Sequence, residues 1–169
     1  KRAIDIILRM ASAHGIKKVI TTVDGILSTP AASNLIRINK AIGGIILSAS
    51  HNPGGLRGDF GVKLNGSNGG PASESLTDEI YNFSKSLKEY KIINCQSNNS
   101  YSAGKYKLAS TIVEIVDGID DYLDLMQQIF DFDLISSYVK KDFPIVFDAL
   151  NAVTGPYAKR LFINHLGAS

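Results

Sequence analysis

The sequence predicts an α/β protein, and three observations carry that reading. Strand-sized apolar runs such as Lys18–Thr22 and Gly44–Leu47 alternate with amphipathic segments at helical spacing. Glycine, proline and serine clusters punctuate the junctions between them. The resulting order, α-β-α-β-loop-β-α-β and then α-β-α, is that of helices layered on a sheet, with a change of domain near Asp117–Asp121.

Each element has its own signal. Ala3, Ile4, Ile7, Leu8 and Ala11 share one helical face, so a helix is expected from about Lys1 to Ala13, ending at His14-Gly15. Lys18–Thr22 reads as a short buried strand, followed by a turn at Val23-Asp24-Gly25. Ser28-Thr29-Pro30 places a capping hydroxyl before a proline at the first helical position, and that helix runs to about Lys40. Gly44–Leu47 and Phe60–Leu64 are strands on either side of a glycine-rich loop. Ser73-Glu74-Ser75 opens a helix whose Leu76, Ile80, Phe83 and Leu87 form one stripe, continuing through Tyr90. Asn94 to Gly104 is polar and reads as an exposed loop, whereas Lys105–Asp117 has strand character. A helix over Ile119 to Lys140, interrupted near Phe130–Asp133, a strand at Pro144–Asp148 and a helix at Gly155–Leu166 complete the order.

Bulk properties narrow the function classes. The 169 residues are 44% hydrophobic and 20% charged, ordinary values for a globular domain. A net charge of +2, with acids and bases interspersed, argues against a nucleic-acid partner or an anionic membrane surface. The longest apolar runs are strand-sized, which argues against membrane insertion. Cys95 is the single cysteine, so a cysteine metal cluster and an internal disulfide are excluded, and a reducing, cytoplasmic location is expected. Lys1 enters a helix with no capping residue before it, and the last strand–helix pair has no following strand; a piece of a longer protein is expected.

The loop between the two central strands concentrates chemistry. Ser50, His51 and Asn52 sit at the C-terminal end of an apolar strand, where α/β sheets gather ligands, and Pro53-Gly54-Gly55 can turn backbone N–H groups outward as phosphate-binding concavities do. Phosphoryl chemistry suits such a place, because it needs positioning and charge compensation above all. Two readings fit Ser50: a nucleophile, or a loop serine bonding its own turn. His51 is either a proton carrier near neutral pH or a satisfied loop histidine. Alternation along Phe60-Gly61-Val62-Lys63-Leu64 sets Lys63 on the face opposite Phe60, Val62 and Leu64, as a phosphate counter-charge, a general acid/base, or a lysine snorkelling from an edge strand. Asp59 reads as a turn former and Asp148 as a helix cap, while Asp120, Asp121, Asp124, Asp131 and Asp133 read as a solvated helix face. His14 and His165 suit helix ends. No carboxylate pair has the spacing of a magnesium-binding loop.

Ser48-Ala49-Ser50-His51-Asn52-Pro53-Gly54-Gly55, followed by Gly58-Asp59-Phe60-Gly61-Val62-Lys63, closely resembles the signature of the alpha-D-phosphohexomutase superfamily. Gly25-Ile26-Leu27-Ser28-Thr29-Pro30-Ala31 and Asn68-Gly69-Gly70-Pro71-Ala72 match as well, and the double glycine with the GDFG run looks like the phosphoglucomutase branch. The resemblance implies a three-layer α/β/α fold with a mixed sheet: residues 1–118 as a first domain lacking its opening strands, and 119–169 as the beginning of a similar second domain. It implies that Ser50 is the phosphoserine that donates to the sugar phosphate, that an oxygen of its phosphate ligates magnesium (Mg2+), and that the remaining ligands lie outside this chain. His51 then matches the histidine beside the nucleophile and Lys63 an active-site lysine assisting proton transfer, with Ser50 and Lys63 both meeting substrate. The implied reaction interconverts glucose 1-phosphate and glucose 6-phosphate through glucose 1,6-bisphosphate, in a cleft completed by further domains of the same polypeptide, so this piece alone is expected to be inactive. A parafusin-like phosphoprotein with a non-catalytic role in exocytosis and a sister mutase of different sugar preference are the alternatives. Ser48 in place of the usual threonine keeps a hydroxyl, Leu56-Arg57 and Leu64 depart from the common residues, and Asn151-Ala152 stands where a His-Gly pair is common.

Overall fold

The computed structural model describes residues 1–95, 102–141 and 144–168. The element order is α1 (Arg2–Ala13), β1 (Lys18–Thr22), a 3-10 turn (Val23–Gly25), α2 (Thr29–Ile38), β2 (Gly43–Leu47), β3 (Val62–Gly66), α3 (Glu74–Ser86), β4 (Gly104–Leu108), β5 (Thr111–Val116), α4 (Gly118–Ile129), α5 (Phe132–Val139) and α6 (Gly155–Ala158), which widens into a π-type segment (Lys159–His165). The α/β class and the mixed sheet are as expected: β5 pairs parallel with β1 and antiparallel with β4. β2 and β3 form a separate antiparallel pair.

One apolar side of β5, made of Thr111, Val113 and Ile115, is buried. Leu8 of α1 packs with Val113 and Leu108, joined at the margin by Ile4, Val19, Ile93 and Tyr106. Polar groups at this contact are satisfied: Ser12 donates to the Leu108 carbonyl at 2.9 Å and Thr111 to the Ile16 carbonyl at 2.6 Å. The alternate side of β5 carries Glu114, which bridges Lys18 and Lys105 across all three strands. Those two ammonium groups, Lys18 foremost, hold the Glu114 carboxyl below its ordinary range.

The helices start where hydroxyl or carboxylate caps predict. Ser28, Ser73 and Asp117 each accept a backbone N–H in the first turn of α2, α3 and α4. Asp131 caps α5 through the Leu134 N–H at 2.9 Å, so it is a structural group and not part of a bare solvated face. Asp120 is likewise engaged, with Arg160.

Four expectations need correction. Lys105–Asp117 is a hairpin of β4 and β5, because Ala109 takes a left-handed φ of 50° and reverses the chain. Residues 144–149 are not a strand: among the described residues no strand offers them a hydrogen-bonding ladder. Asp148 caps no helix; it accepts the Leu150 N–H at 2.7 Å and closes the local turn. The helix expected through Tyr90 stops at Ser86, and its stripe of Leu76, Ile80, Phe83 and Leu87 stays exposed. Beyond it the chain returns to α1, where Arg9 donates its Nε–H to the Ile93 carbonyl at 3.0 Å. The core of the polar loop expected between Asn94 and Gly104 lies outside the described residues.

Candidate active site

The site grows out of the β2–β3 hairpin. Its last ladder pair is Leu47 with Val62, and one step further Ser48 and Gly61 exchange both backbone hydrogen bonds, at 3.0 and 3.1 Å. Residues 49–60 therefore leave and re-enter at one closed base. Inside the loop the Asp59 N–H reaches the Pro53 carbonyl at 2.9 Å and the Asn52 side-chain amide donates to the Asp59 carboxylate. Asp59 is thus a turn former, as expected, with a side-chain partner that holds the two arms together. Gly58 is required by this crossing, since a Cβ there would stand 2.1 Å from the Pro53 carbonyl oxygen.

Ser50 occupies the outward bend with a φ of 58°, in the left-handed region that a serine rarely adopts. The Ser48 hydroxyl supports it by accepting the Ser50 N–H at 2.9 Å. Ser48, which keeps the hydroxyl of the threonine usual at this place, stands two residues before Ser50, a spacing that allows this local bond. The Ser50 Oγ lies 3.2 Å from His51 Nδ1, a geometry in which the imidazole can take or return the hydroxyl proton, depending on its tautomer. Both residues are exposed.

Lys63 sits on β3 opposite Ile46, below the loop's base. It is exposed, and among the described residues it forms no ion pair and no hydrogen bond to Ser50 or His51. The structure thus brings Ser50 and His51 into contact and leaves the Lys63 ammonium free for another anion. Further along the same strand Asn65 is buried and bonds the Gly69 carbonyl at 2.9 Å and Ser33 of α2 at 3.4 Å. This is how α2 is seated beside the hairpin. Among the described residues no cluster of three or more His, Cys, Asp or Glu side chains could hold a metal ion.

Comparison with known proteins identifies the framework. Residues 1–91 match the family model described as phosphoglucomutase/phosphomannomutase, alpha/beta/alpha domain I. The chain belongs to this family. The curated phosphoglucomutase of Emericella nidulans is 50% identical over 163 residues, covering 95% of this chain and 29% of that protein. That of Schizosaccharomyces pombe is 48% identical, covering 98% of this chain and 30% of that protein. A chloroplastic phosphoglucomutase of Solanum tuberosum is 48% identical over 100% of this chain and 27% of that protein. Among solved structures, the exocytosis-sensitive phosphoprotein pp63/parafusin of Paramecium, also described as a phosphoglucomutase and captured in an open form, superposes with a TM-score of 0.90 at 42% identity, over 96% of this chain and 32% of that chain. This family member therefore spans about 30% of the length of the curated relatives it matches. No helix among the described residues is long and apolar enough to cross a membrane.

Proposed function

We propose that this chain carries the phosphoserine of a phosphoglucomutase that interconverts glucose 1-phosphate and glucose 6-phosphate through a glucose 1,6-bisphosphate intermediate. The observation that carries the reading is Ser50, strained at φ 58° at the outer bend of a self-bonded loop with its Oγ 3.2 Å from His51 Nδ1. A strained, exposed nucleophile beside a base is the arrangement that covalent group transfer needs. In the charging step the Ser50 Oγ bonds the phosphorus of the bisphosphate as the sugar oxygen leaves. The Ser50 proton passes to the unprotonated His51 Nδ1, and the leaving sugar oxygen takes a proton from the Lys63 ammonium. Donation reverses these bonds at the other hydroxyl of the hexose. In donation the neutral Lys63 amine takes back the proton of the sugar hydroxyl, and the His51 imidazolium returns its proton to the Ser50 Oγ.

Ser50 is exposed, so an oxygen of a phosphate carried on its hydroxyl would be this chain's one donor to magnesium. Asp59, the nearest acid in the loop, is occupied by Asn52. When bound, the metal would spread the charge of the transferring phosphoryl group. We assign residues 1–118 to the first domain of the fold and 119–169 to the beginning of a second, with the remaining domains of the same polypeptide completing the cleft. A cytoplasmic location is part of the proposal, although plant relatives are chloroplastic, and fractionation of the source cells tests it.

Incubating the intact protein that contains this chain with glucose 1,6-bisphosphate should add one phosphoryl group at Ser50, seen by mass. Ser50→Ala should abolish both labelling and turnover. Label at another residue, or an active Ser50→Ala variant, refutes the reading. Labelling without turnover of glucose phosphates favours a non-catalytic phosphoprotein, and turnover of another hexose phosphate in preference favours a sister mutase.

A further inference from the structure

Ser50 and His51 are the central residues of a tight turn, closed where the Asn52 N–H donates to the Ala49 carbonyl at 3.1 Å. Of the two, Ser50 alone has a positive φ, a place that such turns normally give to glycine. A serine there is strained, and an exposed turn keeps that shape only where its neighbours over-determine it. On the entering arm they do so twice. Ser48 exchanges both backbone bonds with Gly61, and its hydroxyl accepts the Ser50 N–H at 2.9 Å. On the leaving arm the chain passes at once into Pro53-Gly54-Gly55, where Gly55 takes a φ of 117°.

Asn52 secures that leaving arm. Its side-chain amide donates to the Asp59 carboxylate. Asp59 is itself fixed: its N–H reaches the Pro53 carbonyl at 2.9 Å, it bridges with Gly54, and it stands two residues before Gly61 at the closed base. Among the described residues, the Asn52–Asp59 bond is the side-chain bond that ties the turn to the returning arm. We propose that Asn52 and Asp59 are a positioning pair for phosphoryl transfer, locking the Ala49–Asn52 turn so that Ser50 keeps its left-handed backbone and its Oγ stays within reach of His51 Nδ1. The pair acts through the turn and takes no part in bond making. The lock needs a donor at 52 and an acceptor at 59, and an amide at 59 would supply the acceptor without the charge. The inference rests on Ser50 being the phosphoryl carrier.

In the intact protein, Asn52→Ala and Asp59→Ala should each slow the saturating rate of Ser50 labelling by glucose 1,6-bisphosphate about 10- to 30-fold. The half-saturating concentration should move less than about 2-fold, the split expected when alignment and not binding is lost. Asp59→Asn keeps an acceptor for the Asn52 amide and should recover the rate to within about 3-fold of the parent. Combining Asn52→Ala with Asp59→Ala should add less than about 2-fold to either single loss. Both residues are exposed, so melting temperatures should stay within about 2 °C of the parent. A parent rate in either alanine variant, an Asp59→Asn protein as slow as Asp59→Ala, or losses that multiply in the double variant overturn the proposal, while normal wild-type labelling leaves the functional reading standing. Rate losses that appear only with a large fall in melting temperature assign the pair to stability and overturn it as well. A wild-type protein that takes no label at Ser50 overturns the functional reading, and the positioning role with it.

Discussion

Two loops of this chain invite comparison. Residues 23–28 and residues 49–60 both follow a strand, and each forces a non-glycine residue into left-handed backbone, Asp24 at φ 55° and Ser50 at φ 58°. The first loop is held from outside. Lys1 pairs with Asp24 at 2.7 Å, Thr22 donates to the Ile26 carbonyl at 2.9 Å, and Tyr157 takes the Ser28 N–H. Among the described residues the second is held by bonds among its own residues, from Ser48 to Gly61, and Ser50, His51, Asn52 and Asp59 are exposed. Long-range anchoring makes a loop part of the framework, whereas self-bonding leaves a shaped but accessible one. Stability and reactivity should therefore separate between the two.

The largest effect that sharpens this contrast is expected from Gly58→Ala. The added Cβ would stand 2.1 Å from the Pro53 carbonyl oxygen, so the crossing that shapes the reactive loop must open. A displacement of about 1 Å at a reacting group costs on the order of 100-fold in rate, and Ser50 phosphorylation by glucose 1,6-bisphosphate should slow by about that factor. Because the loop is exposed, stability should change by less than about 1 kcal/mol. A large fall in melting temperature with normal labelling would erase the distinction between the loops.

Ser48→Ala is the next in size. It removes the acceptor of the Ser50 N–H and should slow labelling about 10-fold, with stability within about 0.5 kcal/mol of the parent. Ser48→Thr preserves the hydroxyl and should retain the parent rate. A rapid-quench labelling series of the three proteins decides the point.

The framework loop was more legible in the sequence than its anchors were. Ser28-Thr29-Pro30 announced the start of α2, and Lys18–Thr22 coincides with β1, because caps and short apolar runs act over a few residues. Tyr157 could not be joined to Ser28 from spacing, since their meeting depends on how distant elements pack. The Ser50 loop stands out in the sequence by its glycines and by Ser50, His51 and Lys63, yet only the structure shows the left-handed backbone at Ser50 and, among the described residues, no bond between it and Lys63. The failed strand at residues 144–149 has the same cause as the missed tyrosine: an apolar run becomes a strand only where another strand offers a ladder. The stripe on α3 was also read correctly as a pattern, but periodicity says nothing about whether a face finds a cover.

Thr22→Val tests the other side of the comparison. Thr22 is buried, and losing its hydroxyl strands the Ile26 carbonyl, which should cost about 1–2 kcal/mol in denaturant unfolding. The rate of Ser50 labelling per folded molecule should stay within about 2-fold of the parent. A rate loss well beyond about 2-fold would couple the anchored loop to the chemistry and erase the separation between the two loops.

The smallest expected effect concerns the Arg160 clamp that steadies the Tyr157 segment. The Arg160 hydrogen bond holds the Asp117 carboxyl below the ordinary carboxylate range, opposed by partial burial and helped by the Ile119 N–H. A carboxyl depressed in the folded state stabilises it at pH above the unfolded value and ceases to do so as pH falls through about 4 and below. Asp121 acts in the opposite sense: burial, with Asp124, Asp120 and Asp117 nearby, raises it, so its protonation on acidification favours the folded state and offsets part of the loss. The clamp is partly exposed, with Arg160 and Asp117 side chains at 31% and 40%, so screening limits it to about 0.5–1 kcal/mol. Arg160→Met should therefore lower stability by that amount at about pH 7 and by much less at about pH 3, measured as the difference between parent and variant urea midpoints at each pH. A difference that persists undiminished in acid would assign the contribution of Arg160 to packing of its methylene stem, and the clamp between β5 and the Tyr157 segment would not be electrostatic.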